Sequence, residues 1–305
     1  MSKQKRTFFS IVIPTYNMEK FIKKSVKSVL NQTYKNFEIL VIDNHSKDKT
    51  RQIIDDFKSN KIKYFKIKNY GVIGKSRNLG IKKSKGNWIA FLDADDQWFK
   101  NRLLVIKKEI EKKNFDYIAS SEIIRILKKK KIWHYGFKKN NIYENFLRFG
   151  SVFSTSASVV KKNFLSKNKI IFSENIFFSS FEDFDFFLNM SRKNAKFHFI
   201  RDVLGEHLFH KDSTTLKKKD YDLSYKKVIK SHVLKQKFTK NKDKLFKEIM
   251  MYHNLKKDIS GLLIKRDIFK NLSQIFLKFL FKPLYFLKLI KVLIMRQINF
   301  VERLN

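Results

Sequence analysis

Cysteine is absent from the 305 residues, proline occurs twice and glycine eight times, and Asp and Glu number 28 against 67 Lys and Arg. Without cysteine there are no disulfides and no thiolate metal sites, and a reducing compartment is permitted. The two prolines, Pro14 and Pro283, each interrupt an apolar run. No apolar run is long enough to span a bilayer, because lysines break each one first. The basic start at 1–6 imitates a signal peptide, but the apolar run behind it stops at Pro14 and is too short for one, which predicts a buried first strand.

A hydrophobic content of 43% argues for a folded chain. The net charge of +39 would draw it to polyanions such as nucleic acid, anionic lipid or phosphorylated substrates. Lys, Asn, Ile and Phe all use A/T-rich codons, so part of that charge is background spread over solvated faces. Against it, the apolar run 88–92 that ends in Asp93, Asp95 and Asp96 is conspicuous. Hard cations such as Mg²⁺ and Mn²⁺ prefer carboxylate and water oxygens, and two Asp at i and i+2 on a turn can aim at one ion. The competing structural reading is a solvated turn whose Asp caps the helix at Arg102.

Periodicity predicts strands at 8–13, 37–42, 62–67 and 88–92, with helices after an Asn17 N-cap, at 50–57 and at 75–83. This βαβαβαβ order implies a parallel sheet whose ligand site lies beyond the carboxyl ends of the strands. Tyr16, Asp43 and 93–96 each follow a strand, so they meet along that edge. Beyond Asn101 the pattern becomes α+β: a helix at 102–112, strands at 117–127 and 132–135 around a basic turn at 128–131, and a strand of small residues at 151–160.

Asp43 could accept from a nucleobase imide or a ribose hydroxyl, or simply form an Asx turn, while Tyr16 offers a ring for stacking. Arg77, on the helix after Gly71 and Gly74, could place a guanidinium near a diphosphate. In the second acidic group, helical spacing puts Asp183 on a face with Phe186, Phe187 and Met190, and puts Glu182, Asp185, Asn189 and Arg192 on the polar side. A carboxylate turned to the apolar side suits a base, and an acidic first helical turn is the ordinary alternative. His210, three residues after His207, could ligate Mn²⁺ or contact phosphate.

The blocks IVIPTYN at 11–17, SVLNQT at 28–33, VIDNHS at 41–46, SRNLG at 76–80, KGNWIAFLDADD at 85–96 and FED at 181–183 together resemble the nucleotide-sugar-dependent glycosyltransferases of family 2, inverting enzymes of the GT-A fold known from bacterial polysaccharide synthesis. The resemblance covers about two thirds of the chain. It implies a Rossmann-like, mostly parallel α/β sheet with helices on both faces, a nucleotide-sugar half at 1–101, an acceptor half of the same domain at 102–215, and a helical region at 216–305. It further implies that Pro14, Thr15, Tyr16, Glu19, Asp43, Arg77 and Asp93 hold the donor, a UDP-sugar being favoured. Asp93, Asp95 and His210 would hold Mn²⁺ or Mg²⁺, and Asp183 would be the general base toward a hydroxyl of a glycan or lipid-linked acceptor. Asn44 stands where many members have a second Asp, and Leu208 where an Arg is common.

In the tail, Ile268, Leu272, Ile275 and Phe279 form one stripe, and 284–295 is apolar apart from Lys288 and Lys291 on one side. Such a helix suits an anionic membrane surface, which predicts a cytoplasmic protein peripheral to the inner face of the plasma membrane; packing on the core is the alternative. Two rival functions are a catalytically silent membrane scaffold and a basic nucleic-acid-binding protein. The second has no use for acidic strand ends, so nucleic acid is disfavoured as a partner.

Overall fold

The computed structural model of the chain describes residues 7–126, 129–136, 141–150, 154–210 and 221–264. Strands β1 (Phe9–Thr15) and β2 (Phe37–Asp43) are buried at all seven positions each. Such continuous burial belongs to strands covered on both faces. β1 pairs in parallel with β2 on one side and with β4 (Trp88–Phe91) on the other, and β2 pairs in parallel with β3 (Ile62–Lys66). Helices α1 (Ile22–Leu30), α2 (Thr50–Asp55) and α3 (Ile73–Lys83) occupy the crossovers. α1 buries Ile22, Ser25, Val26 and Val29, the three-to-four spacing of one helical face. α3 lies close on β1 because Gly80 has no side chain: a Cβ there would stand 2.3 Å from Val12 Cγ1.

Then follow β5 (Gln97–Trp98), α4 (Arg102–Lys112), β6 (Tyr117–Ile126), β7 (Lys129–Trp133), α5 (Ile142–Phe149), β8 (Ser158–Lys161), α6 (Lys162–Asn168), a one-turn 3₁₀ helix (Ile176–Phe178), α7 (Glu182–Arg192), β9 (Phe197–Phe209), α8 (Tyr221–Lys235) and α9 (Lys242–Ile264). The sheet order is β3-β2-β1-β4-β8-β6-β9-β5, with β7 added on β6. Its first four strands are parallel; β8 runs antiparallel to β4 and β6, and β5 antiparallel to β9. The expected α/β, mostly parallel architecture is therefore present, with a mixed second half.

Several local expectations are corrected. Asn17 is not the N-cap of α1, which starts at Ile22; it adopts a left-handed φ of 51°, tolerated by its short polar side chain, and accepts from Lys47 N at 2.8 Å. Lys129–Lys131 are not a turn but lie in the exposed strand β7, where lysines guard a sheet edge. Within the described part of the segment at 151–160 the strand begins only at Ser158 and runs on to Lys161, while Ser154, Thr155 and Ser156 turn their hydroxyls to acids instead. The 13-residue β9 has no expectation matching it, because its polar and apolar residues do not alternate cleanly.

Met1–Gly136 with Ser151–Val228 makes one compact unit, which holds the whole sheet, and Phe137–Gly150 with Ile229–Asn305 makes a second. In the second, Arg148 of α5 reaches Glu144 at 2.7 Å and Glu248 of α9 at 3.2 Å. The short segment at 137–150 thus groups with the C-terminal region rather than with the acceptor half. No helix among the described residues is long and apolar enough to cross a membrane. The apolar stripes predicted from Ile268 onward lie outside the described residues.

Candidate active site

β1, β2 and β4 run parallel, so their carboxyl ends deliver Thr15, Asp43 and Asp93 to one edge of the sheet. Thr15 stands opposite Asp43 in the register, and its buried Oγ1 has no hydrogen-bond partner among the described residues. A buried hydroxyl in that state is short of a partner that a ligand can supply. Pro14 is buried beside it, and Tyr16, the next residue, leaves its ring 49% exposed. Glu19 accepts from Lys49 N at 3.0 Å and so sits over the start of α2. Asp43 is buried and already accepts from Ser46 N at 3.1 Å, from Ser46 Oγ and from Tyr64 Oη. The turn and the site position coexist here, since the Asx-type contact fixes the carboxylate at the edge.

The acidic turn divides its work. Asp96 is the buried member: it accepts from His207 Nδ1 at 2.8 Å, Leu208 N at 2.9 Å and Ser156 Oγ. It does not cap α4, whose N-cap is Asn101. Burial by itself would lower the His207 pKa, but the Asp96 carboxylate outweighs it and pushes the imidazole up to about 10, so His207 is a cation at neutral pH. Asp95 Oδ2 lies 2.9 Å from His210 Nε2, whose ring stacks on Phe21 at 4.4 Å. Burial, with the neighbouring charges of Asp96 and Asp93, pushes Asp95 up to about 6. Asp93 faces the other way, taking Arg77 Nη2 at 2.9 Å on its carboxylate and giving its N–H to Ser156 Oγ at 3.0 Å.

Arg77 is the joint between the two acidic groups. Its buried guanidinium bridges Asp93 and, through Nη1 at 2.9 Å, Glu182 at the start of α7. Burial would weaken its charge, but Asp93 and Glu182 more than restore it and hold Arg77 above its usual range. This corrects the expectation of an arginine pointing at a diphosphate: both sides of its fork are already occupied by carboxylates. The face assignment of α7 is corrected with it. Glu182 and Asp185 are buried, Glu182 against Arg77 and Asp185 as acceptor for Asn189 Nδ2 at 3.1 Å, whereas Asp183 keeps partial exposure. Asp183 accepts from Phe184 N at 2.7 Å and from Thr155 Oγ1 at 3.3 Å. Burial and the adjacent Glu182 charge push it up to about 6 in spite of Arg77, which suits a proton acceptor working near neutrality.

Among the described residues, no three His, Cys, Asp or Glu side chains close around one point as a preformed metal cage. The donors present fit a partial site instead. Asp95 and His210 offer an oxygen and a nitrogen 2.9 Å apart beside Asp93, and Mg²⁺ or Mn²⁺ commonly completes such a pair with water and substrate phosphate. The mutual repulsion that raises Asp95 is the strain a divalent cation would relieve.

Ser156, Thr155, Glu182 and His207 were not singled out from the sequence for these roles. Ser156 and Thr155 lack a pattern that marks them; Glu182 adjoins Asp183 and His207 lies three residues before His210, and only burial separates their roles.

With this edge in view, comparison with known proteins is direct. Residues 10–171 match the model of Glycosyl transferase family 2, and the chain belongs to that family. A Rickettsia bellii protein described as an uncharacterized glycosyltransferase is 45% identical over 37% of this chain and 16% of its own length. The Escherichia coli UDP-Glc:alpha-D-GlcNAc-diphosphoundecaprenol beta-1,3-glucosyltransferase WfgD is 39% identical over 38% of this chain and 46% of its own length. The chain thus spans less than half the length of these relatives. Staphylococcus aureus TarS 1-349 in complex with UDP-GlcNAc superimposes with a TM-score of 0.64 at 22% identity, over 85% of this chain and 76% of that 1-349 chain, which establishes the GT-A fold. Two further matched transferases hold Mn²⁺ in complexes with GDP-Man and with UDP and GalNAc.

Proposed function

We propose that the chain transfers a sugar from a nucleotide-sugar donor, a UDP-sugar by preference, to a hydroxyl of a lipid-linked or glycan acceptor with inversion at the anomeric carbon, as a step of cell-surface polysaccharide synthesis at the inner face of the plasma membrane. The observation that carries this reading is the Arg77 bridge, which ties the Asp93 turn to the helix start bearing Asp183 and so sets a donor edge beside a base. Lipid-linked acceptors are named for the WfgD relative, and UDP-GlcNAc for the TarS complex.

In this reading Pro14, Thr15, Tyr16, Glu19 and Asp43 bind the nucleotide, Thr15 Oγ1 gaining the partner it lacks and Tyr16 stacking on the base. Asp93, Asp95 and His210 hold Mn²⁺ or Mg²⁺, which when bound offsets charge on the diphosphate leaving group. Asp183 takes the proton of the acceptor hydroxyl as its oxygen bonds to the anomeric carbon and the bond from that carbon to the diphosphate oxygen breaks. Thr155 holds Asp183 in place by its hydrogen bond. Arg77 serves the donor indirectly, by orienting Asp93.

A panel of nucleotide sugars read by thermal shift with and without Mn²⁺ tests the donor and the cation together. A UDP-sugar is expected to raise the melting temperature, more so with Mn²⁺, since ligand at about 100 times its Kd adds about 2.7 kcal/mol. No shift with any nucleotide sugar would overturn the proposal.

A further inference from the structure

The 3₁₀ turn just ahead of α7 exposes two consecutive large apolar side chains, Ile176 and Phe177, each 54% accessible. Single exposed apolar residues are ordinary, but these two do not stand alone. The turn is tied to the loop before α3: Ser179 Oγ donates to Gly71 O at 3.5 Å, and Gly74 comes so close to Ser173 that a Cβ would meet the Ser173 carbonyl oxygen at 2.4 Å. In that loop Tyr70 is 75% exposed, and Lys75 Nζ stands 5.2 Å from its ring centroid. On the other side Lys227 Nζ of α8 sits 3.3 Å over the Phe177 ring. Leu223, one turn earlier on the same face of α8, is 49% exposed. Two aliphatic and two aromatic side chains and two ammonium groups thus form one rim on neighbouring segments. Two exposed acids border the rim in sequence: Asp222, next to Leu223, and Glu174, which is held by Asn78 Nδ2 at 2.9 Å, so each face of lysine and apolar side chains carries one acid beside it.

We infer that this rim, Tyr70, Lys75, Ile176, Phe177, Leu223 and Lys227, is a docking surface for an anionic lipid bilayer. Tyr and Phe rings with aliphatic neighbours suit the headgroup and first acyl carbons of a bilayer, and lysines beside them reach lipid phosphates. The charge of the whole chain, +39, acts in the same sense at an anionic leaflet. The polypeptide leaves the rim and enters α7, whose second residue is Asp183. A lipid-linked acceptor lying in that leaflet would therefore meet the base at the membrane surface, a consequence that rests on the function proposed above.

Because the chain has no cysteine, a single Phe177→Cys replacement in the full chain can carry an environment-sensitive fluorophore at the rim, with Lys108→Cys, at an exposed position of α4, as the reference. Vesicles of phosphatidylcholine with phosphatidylglycerol are expected to blue-shift the label at 177 and leave that at 108 unchanged, while phosphatidylcholine alone shifts neither. Ile176→Ser with Phe177→Ser is expected to lower partition onto the anionic vesicles about tenfold, and Lys75→Glu with Lys227→Glu by a similar factor, from lost apolar and headgroup contacts. Retention of the donor-induced thermal shift in both variants would show that they are folded. An unshifted label at 177, or equal shifts at 177 and 108, would overturn the inference. So would a label at 177 shielded from an aqueous quencher without lipid, which would mean that another segment or a second copy covers the rim. A protein that docks through 177 yet binds no nucleotide sugar would refute the proposed function and leave this surface standing.

Discussion

In the turn at 93–96 the acid sealed into the interior is Asp96, paired with the His207 imidazolium; at the start of α7 it is Glu182, paired with the Arg77 guanidinium. Beside each sealed acid stands another, Asp95 or Asp183, that feels that cation without being hydrogen-bonded to it and is pushed up to about 6 by burial and a like-charged neighbour. Adjacent carboxylates thus take different parts, one held directly against a buried cation and one left to exchange a cation or a proton. The two clusters differ in their cation. Arg77 is charged at any accessible pH and holds two acids in separate elements, whereas His207 owes its charge to Asp96.

The sharpest way to break this comparison is to remove the exchanging acid and spare the sealed one. Asp183→Asn is expected to cut transfer by about 10²–10⁴-fold, the usual share of a positioned base, while donor binding by thermal shift is unchanged. Full turnover by that variant would end the assignment. A smaller effect separates the two cations. Arg77→Ala leaves Glu182 buried without its cation, with Ser180 N still donating to it at 2.9 Å, and is expected to lower unfolding free energy by about 3–5 kcal/mol in urea titrations. His207→Ala is expected to lower it by about 1–3 kcal/mol, because Asp96 keeps Ser156 Oγ and Leu208 N as donors and can take up a proton. Equal losses would erase the distinction.

The mildest test is pH. Because the Asp183 pKa is raised to about 6, the base is protonated below that value, so kcat/KM should fall roughly tenfold per pH unit below 6 and level off above it. Glu182→Gln removes a charge that raises Asp183, and the acid limb should move to lower pH. The fold favours the protonated form of Asp183, so its contribution to stability is present at low pH and is lost as pH rises through about 6.

Much of the donor half was legible because its determinants are local. Phe9–Thr15 and Phe37–Asp43 are apolar runs ending in polar residues, and that pattern places Thr15, Tyr16, Asp43 and Asp93 at strand ends before any contact is known. The acceptor half was less so. β9 is sandwiched between β5 and β6, and pairing on both edges overrides its irregular sequence. Pairing of Gln97 with Glu206 and Trp98 with Gly205 folds β9 back along the chain that leaves the acidic turn, and this brings His207 to Asp96 and His210 to Asp95.

By itself, then, the sequence determined that the first four strands run parallel, the edge where their acids collect and the family to which the chain belongs, since periodicity and motif spacing are properties of the chain. Only the tertiary structure decided which acid in each cluster is buried, that Arg77 clasps two of them instead of reaching a diphosphate, and that two histidines more than a hundred residues away serve the same turn. Burial and charge pairing depend on what packs from distant elements, and neighbouring carboxylates of like spacing look the same until that packing is known.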